Sequence, residues 1–190
     1  MIPELSENDM KMFYRYLDKS TFYFEYGSGG STYQANLRQN IKKIYTVESD
    51  KTWMNKLNSL INNTKITYIY NDMGTKPHTW GYPSKKCLKS NLINYSEHIR
   101  NLSVEERIKI DLVMIDGRFR VACCLKCFDI INDACYIIFD DFLNRKNYHV
   151  ILDYYDIVEK TEDKRMVVLR KKNNVSIPTD VIKKYELIPD

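Results

Sequence analysis

The chain has 190 residues, 44% of them hydrophobic, and its 29 Lys and Arg against 25 Asp and Glu leave a net charge of +4. That length suits one domain with a single sizeable core, and so mild a charge, dispersed along the chain, gives no basic stripe of the kind nucleic-acid binding uses. No apolar run approaches the roughly 20 residues of a membrane span, and no signal-peptide pattern opens the chain, so a soluble, intracellular (cytoplasmic) protein is expected.

The elements follow in order. A helix over 7–18 starts at Ser6-x-x-Asp9 and carries Met10, Phe13 and Leu17 on one side. STFYFEY (20–26) reads as a buried strand and STYQANLRQN (31–40) as a helix. KKIYTVE (42–48) is a strand, and SDKTWMNKLNSLIN (49–62) is a helix capped by Ser49 or Asp50. KITYIYND (65–72) is a strand, followed by the long irregular stretch MGTKPHTWGYPSKK. Residues 91–109 read as two helical pieces, with Ser103-x-x-Glu106 as a capping box. IDLVMID is a strand, RVACCLKCFDIIND a helix, CYIIFDD a strand, and a helix is expected around 145–153. YDIVEKT and RMVVLRKK flank a short polar turn and read as a β-hairpin.

Five βα units followed by a hairpin predict an α/β fold: a Rossmann-like, doubly wound, seven-stranded sheet, mostly parallel with an antiparallel C-terminal hairpin strand. One domain over 1–190 divides into an N-terminal helix (1–20), a first half (21–75), a loop and helical insertion (76–109), a second half (110–172) and a tail (173–190). The five cysteines, Cys87, Cys123, Cys124, Cys127 and Cys135, are odd in number and argue against a disulfide framework. Cys124 and Cys127 form a CxxC without a second pair at ligand spacing, and they fall on an apolar helix face, which favours buried thiols over zinc.

In a doubly wound sheet, ligands bind outside the C-terminal strand ends. All six glycines fall just after a strand or in the long loop, which concentrates approachable backbone on that rim. Gly27-x-Gly29 begins a dinucleotide fingerprint, but Thr32 replaces its third glycine, and Glu25 precedes the loop. A carboxylate beside a pyrophosphate meets like charge; beside S-adenosylmethionine it meets an ammonium and a sulfonium. Glu48, at the next strand end, suits two ribose hydroxyls. Asp72, ending the third strand, is placed to accept from the adenine amino group. The alternative is that these acids only cap the following helices.

FEYGSGGST resembles the first motif, and YTVESD the second, of class I S-adenosylmethionine-dependent methyltransferases. Together with NDMGTKPHTWGYP, IDGRFRVAC and FDDF, the pattern is similar to a group of small methyltransferase domains of bacteria and large DNA viruses, often found in a glycan-building context. The resemblance implies the cofactor and, for its binding, Glu25, Gly27, Ser28, Gly29, Ser31, Thr32, Glu48, Ser49, Asp72, Met73 and Asp116. It implies a sugar-hydroxyl acceptor more loosely; methylation of another small molecule or of nucleic acid, and cofactor or partner binding without turnover, are the other readings.

IDGRF stands where enzymes that methylate amino groups of bases carry Asn/Asp-Pro-Pro-Tyr, which counts against a nucleobase amine. Asp116 and the Asp140-Asp141 pair lie on strands expected to be adjacent, so three carboxylates converge. Their repulsion needs a cation or a shared proton; Mg²⁺, Mn²⁺ or Ca²⁺ would suit, held by Asp116, Asp140 and Asp141. The arrangement looks like the catechol-type metal-dependent O-methyltransferases, but Asp141 replaces their Asn, and Arg118, which cannot act as a base, stands near the place of their catalytic Lys. Arg118 or Arg120 neutralising the acids is the competing reading. The expected catalytic residues are Asp116, Asp140, His149 and Arg118. Trp80, Tyr82, Arg118 and Asp141 are expected to bind the acceptor, with Trp80 and Tyr82 as stacking platforms unless Trp80 plugs the core edge.

Overall fold

A computed structural model describes residues 1–61, 63–163 and 165–190. Asn62, the last residue of the expected helix 49–62, and Lys164, in the polar turn of the hairpin, lie outside the described residues. The strands are β1 (Phe22–Tyr26), β2 (Lys43–Glu48), β3 (Ile66–Tyr70), β4 (Leu112–Ile115), β5 (Tyr136–Phe139), β6 (Tyr155–Lys160) and β7 (Val167–Lys171). They form one seven-stranded sheet in the order β3-β2-β1-β4-β5-β7-β6. β1 to β5 pair in parallel, while β7 runs antiparallel to both β5 and β6. The order reverses between β1 and β4, and ligands bind at such a switch point in doubly wound folds.

Successive strand residues point to opposite faces, and both faces here are apolar. Tyr23, Ile44, Leu112, Met114, Ile138 and Val168 face one core with α1 (Glu7–Leu17), α2 (Gly30–Leu37) and α3 (Lys51–Leu60). Phe24, Tyr26, Val47, Val113, Ile115, Phe139 and Leu169 face a second core. That one is covered by α4 (Lys89–Glu97), α6 (Arg120–Cys127), a 3-10 helix (Lys146–Asp153) and α7 (Thr179–Tyr185), while α5 (Val104–Arg107) contributes no residue to it. Double coverage explains why the parallel strands read as continuous apolar runs.

Local signals set the helix starts. Ser6 accepts from the Asp9 N–H, Asp50 accepts from the Trp53 N–H, and Ser103 and Glu106 form the reciprocal capping box. Cys123, Cys124, Cys127 and Cys135 are buried and free, and Cys87 is half-buried and free. The second half departs from expectation in two places. The helix expected around 145–153 is a 3-10 helix, Lys146–Asp153, and the tail carries α7, whose C-cap Glu186 reaches the fully buried Lys126 at 2.7 Å. Glu97 binds the same ammonium from α4, also at 2.7 Å, so one lysine ties three helices together.

Candidate active site

Parallel pairing brings the C-terminal ends of β1 to β5 to one rim. The loops after β1 and β4 touch there. A Cβ built on Gly27 would lie 3.0 Å from the Gly117 backbone, and one on Gly117 would overlap the Tyr95 hydroxyl. Gly27 also has φ +94, which favours glycine. Gly30 is packed against the backbone of Ile2 and Pro3. These three glycines therefore answer to chain packing. Gly29 differs: a Cβ there meets nothing within 4 Å, so its backbone borders open space at the start of α2.

Glu25 does not reach the rim. It is fully buried and accepts hydrogen bonds from Tyr23 (2.9 Å), Ser31 (2.7 Å) and Thr32. Burial pushes its carboxyl up to about 7, against the pull of these hydroxyls. Thr32 Oγ1 also accepts from the Gly29 N–H at 2.9 Å. The expected direct contact between Glu25 and a cationic cofactor is thus corrected: the side chain lies under the loop and, through Ser31 and Thr32, fixes the conformation of Gly29 and the first turn of α2. Ser31 and Thr32 share that buried role.

Glu48 ends β2 and is 7% exposed. Its Oε1 accepts from the N–H groups of Ser49 (2.7 Å) and Asp50 (2.8 Å), and its Oε2 from the Ser28 N–H (3.2 Å) and Ser28 hydroxyl (2.6 Å). Burial raises its pKa despite these donors. Only the Ser28 hydroxyl is free to turn away, so a ribose hydroxyl could replace it on Oε2. Trp53, overlooked in the sequence, holds the loop from below by donating its Nε1–H to the Ser28 carbonyl at 2.9 Å. Asp72 is exposed, with Oδ1 on the Gly74 N–H at 2.9 Å. The Met73 side chain is fully buried in the second core, so any contact it makes with a ligand would be through its backbone.

The long loop folds back over this rim. The Ser49 hydroxyl donates to the Gly81 carbonyl at 3.3 Å, and Ser84 donates its N–H to the Met73 carbonyl at 2.8 Å. Trp80 is 74% exposed, so it does not plug the core edge. Tyr82 stacks under the Arg118 guanidinium, 4.6 Å from ring centroid to Cζ. Of the five non-glycine residues with positive φ among the described residues, His78, Trp80, Phe119 and Asp141 lie in this loop and after β4 and β5; the fifth, Asn174, follows β7.

The three carboxylates converge, but around arginine. Arg120, 4% exposed in its side chain, lies 3.0 Å from Asp116, 3.5 Å from Asp140 and 3.6 Å from Asp141. It also donates to the carbonyls of Gly117 (3.0 Å) and Asp140 (2.9 Å). Arg165, from the hairpin, reaches Asp141 at 3.0 Å and Asp140 at 3.6 Å, and Arg145 reaches Asp141 at 2.9 Å. Three guanidiniums thus supply the positive charge, and among the described residues no group of three His, Cys, Asp or Glu is placed to hold a metal ion. The acids as arranged do not fit a divalent cation, which corrects the metal expectation for Asp116, Asp140 and Asp141. Two residues were missed: Arg165 joins the site through a tertiary contact from the hairpin, while Arg145 stands four residues after Asp141, a local spacing that could have signalled it.

Burial, then the charges of Asp116 and Asp141, push Asp140 up to about 8, and its Oδ1 is buried without a partner. Asp116 is raised too, chiefly by burial, though its side chain is still 37% exposed. Asp116 is therefore the member of the pair open to an acceptor, with Asp140 beneath it. His149 is not part of this group. Its ring stacks on Phe142 at 5.4 Å, and it forms no hydrogen bond or ion pair with the acids.

A cavity of about 430 Å³ lined by Arg15, Tyr16, Ser20, Asp111 and Tyr136 opens at the other end of the sheet, where β1, β4 and β5 begin. It is remote from the rim.

No protein-family model matches the chain, and no curated protein matches it by sequence. Solved structures do. A methyltransferase-like protein from Silicibacter pomeroyi DSS-3 is 23% identical with a TM-score of 0.84, over 99% of both chains. The M1A22 tRNA methyltransferase TrmK of B. subtilis is 12% identical with a TM-score of 0.52, over 89% of this chain and 67% of that one. A ribosomal protein L11 methylase from Lactobacillus delbrueckii subsp. bulgaricus is 13% identical with a TM-score of 0.53, over 87% and 77%. The seven-stranded sheet with its antiparallel end is the fold of the class I S-adenosylmethionine-dependent methyltransferases.

Proposed function

We propose that this chain is an S-adenosylmethionine-dependent methyltransferase that methylates an oxygen, with a sugar hydroxyl of a glycan as the acceptor. The observation that carries the cofactor assignment is the pairing of Glu48, whose Oε2 is shared with a rotatable Ser28 hydroxyl, with the open space above Gly29. A carboxylate for the ribose and bare backbone for the amino-acid moiety then lie on one rim, at the switch point of the sheet. Asp72, exposed after β3, is the acceptor for the adenine amino group.

The bound cofactor supplies an activated methyl group. The chain must align the acceptor oxygen with it and take one proton. Asp116 takes that proton: it is the exposed acid of the pair, and burial raises its carboxyl, as burial and then the Asp116 charge raise that of Asp140. Arg120 balances the charge before and after transfer. Tyr82 and Arg118, stacked on one another, form the wall on which a sugar ring packs. The acceptor assignment rests on the sequence resemblance and on the absence of Asn/Asp-Pro-Pro-Tyr after β4. Mass spectrometry of candidate glycans incubated with the protein and cofactor tests it: a gain of one methylene per acceptor supports it, and methylation of tRNA or protein alone overturns it.

A further inference from the structure

We propose that the long loop, residues 74–89, is the docking surface for an acidic glycan, a chain of sugars bearing ring carboxylates, with its lysines taking the charge and Trp80 a sugar ring. The inference rests on the glycan reading above and adds charge to its acceptor.

The chain's excess of positive charge falls on this one loop. Lys76, Lys85, Lys86 and Lys89 lie within it, and residues 73–96 contain no Asp or Glu. With these four set aside, the remaining 25 Lys and Arg balance the 25 Asp and Glu, so the net charge of +4 is the charge of the loop. All four lysines are exposed, and among the described residues none of them forms an ion pair. Basic residues that look dispersed along the sequence therefore leave their unbalanced charge beside the rim, where the loop folds onto Ser49. Asp72, the nearest acid before the loop, is tied to the Gly74 N–H at 2.9 Å and is the group assigned to the adenine.

The same loop holds an aromatic ring in solvent. Trp80 is 74% exposed and Tyr82 47%. Trp80 has φ 54 and His78 φ 64, a backbone conformation rare for bulky residues. Hydrogen bonds hold this turn. The Tyr82 N–H donates to the Thr79 carbonyl at 3.0 Å, the Thr79 hydroxyl to the Lys76 carbonyl at 2.7 Å, and the Cys87 N–H to the Ser84 carbonyl at 2.9 Å. A large ring kept in water by a strained and bonded turn offers its face to a partner.

The two features select the occupant. An aromatic face packs on the apolar face of a sugar ring, and lysine ammoniums, compact point charges, meet single carboxylates. A sugar with a carboxylate on its ring joins both groups in one residue, as the loop joins its lysines and Trp80. Single-stranded nucleic acid instead stacks successive bases on several aromatics. Here Arg118 already takes a face of Tyr82 at 4.6 Å, which leaves Trp80 as the open platform. Tyr82 and Arg118 then hold the sugar that receives the methyl group, and Trp80 and the lysines hold the chain beyond it.

The test is calorimetric titration of oligogalacturonate, a neutral maltooligosaccharide of equal length and a single-stranded RNA into wild type, Lys85→Gln/Lys86→Gln and Trp80→Ala. Wild type should bind oligogalacturonate at least about tenfold more tightly than the neutral chain, and added salt should narrow the gap. Lys85→Gln/Lys86→Gln should lose about tenfold for the acidic chain and nothing for the neutral one. Trp80→Ala should weaken both by about two- to tenfold. Lys85→Arg/Lys86→Arg, which keeps the charge, should bind as wild type does. Melting temperatures should stay unchanged, because all three side chains are exposed. Equal affinity for acidic and neutral chains, no binding of either, an acidic preference that survives Lys85→Gln/Lys86→Gln, or tighter binding of RNA than of oligogalacturonate would overturn the proposal. S-adenosylhomocysteine is titrated into the same proteins. Failure to bind it removes the cofactor reading and leaves the glycan result standing, whereas normal cofactor binding without glycan binding removes the docking surface alone.

Discussion

The Arg120 guanidinium lies 3.0 Å from the Asp116 carboxylate and 3.5 Å from that of Asp140, at the ends of two adjacent parallel strands. One cation between two acids does the work that a divalent ion would otherwise have to do. Methyl transfer is therefore expected to persist in excess EDTA, with metal-free protein confirmed by elemental analysis. Activity lost to the chelator and restored by Mg²⁺ or Mn²⁺ would show that the arginine cluster opens to admit a metal.

Arg120→Met should be strongly destabilising. It leaves Asp140, 3% exposed, without its nearest guanidinium, and breaking a buried pair from one side costs about 3–5 kcal/mol. A urea titration checks this. A loss under about 1 kcal/mol would mean that Arg165 alone suffices.

Two buried acids set an expected pH dependence. Glu25 and Asp140 rise in the folded chain from ordinary carboxyl values to about 7 and about 8. Folding therefore takes up protons between roughly pH 4 and pH 8, and stability from these groups is present at the acid end and lost as pH rises through that window. Thermal melts should show Glu25→Gln losing less stability than wild type between pH 5 and 8. An unchanged slope would mean that Glu25 is ionised throughout.

Two glycines should separate packing from binding. Gly117→Ala drives a methyl group into the Tyr95 hydroxyl and the Gly27 backbone and should cost about 1–3 kcal/mol. Gly29→Val should leave the melting temperature nearly unchanged, because a Cβ there meets nothing, yet abolish cofactor binding. Normal binding by Gly29→Val would mean that the loop does not approach the cofactor.

Much of this was legible in sequence. Apolar runs buried on both faces gave β1 to β5, and Ser6, Asp50 and Ser103 marked helix starts, because these signals are local. The three acids at 116, 140 and 141 could be brought together from strand adjacency alone. Their neutralisation was legible in part: Arg120, four residues after Asp116, was one of the two arginines expected to balance them, whereas Arg165 arrives from the hairpin and Arg145 from the residue before the 3-10 helix. The burial of Glu25 and Met73 was hidden for a related reason. A strand-end residue can face the rim or a core, and the choice depends on which neighbours fill the space. Asp190 lies 70 residues from its partner Arg120, and nothing near either residue announces the contact.

The central claim is that the β1 and β2 ends hold S-adenosylmethionine. Calorimetric titration of S-adenosylhomocysteine into wild type and Glu48→Ala tests it most directly. The account predicts micromolar-range binding by wild type, weakened in the variant by about 1–3 kcal/mol as the ribose hydrogen bonds are lost. Binding of NAD but neither S-adenosylmethionine nor its demethylated product would contradict it.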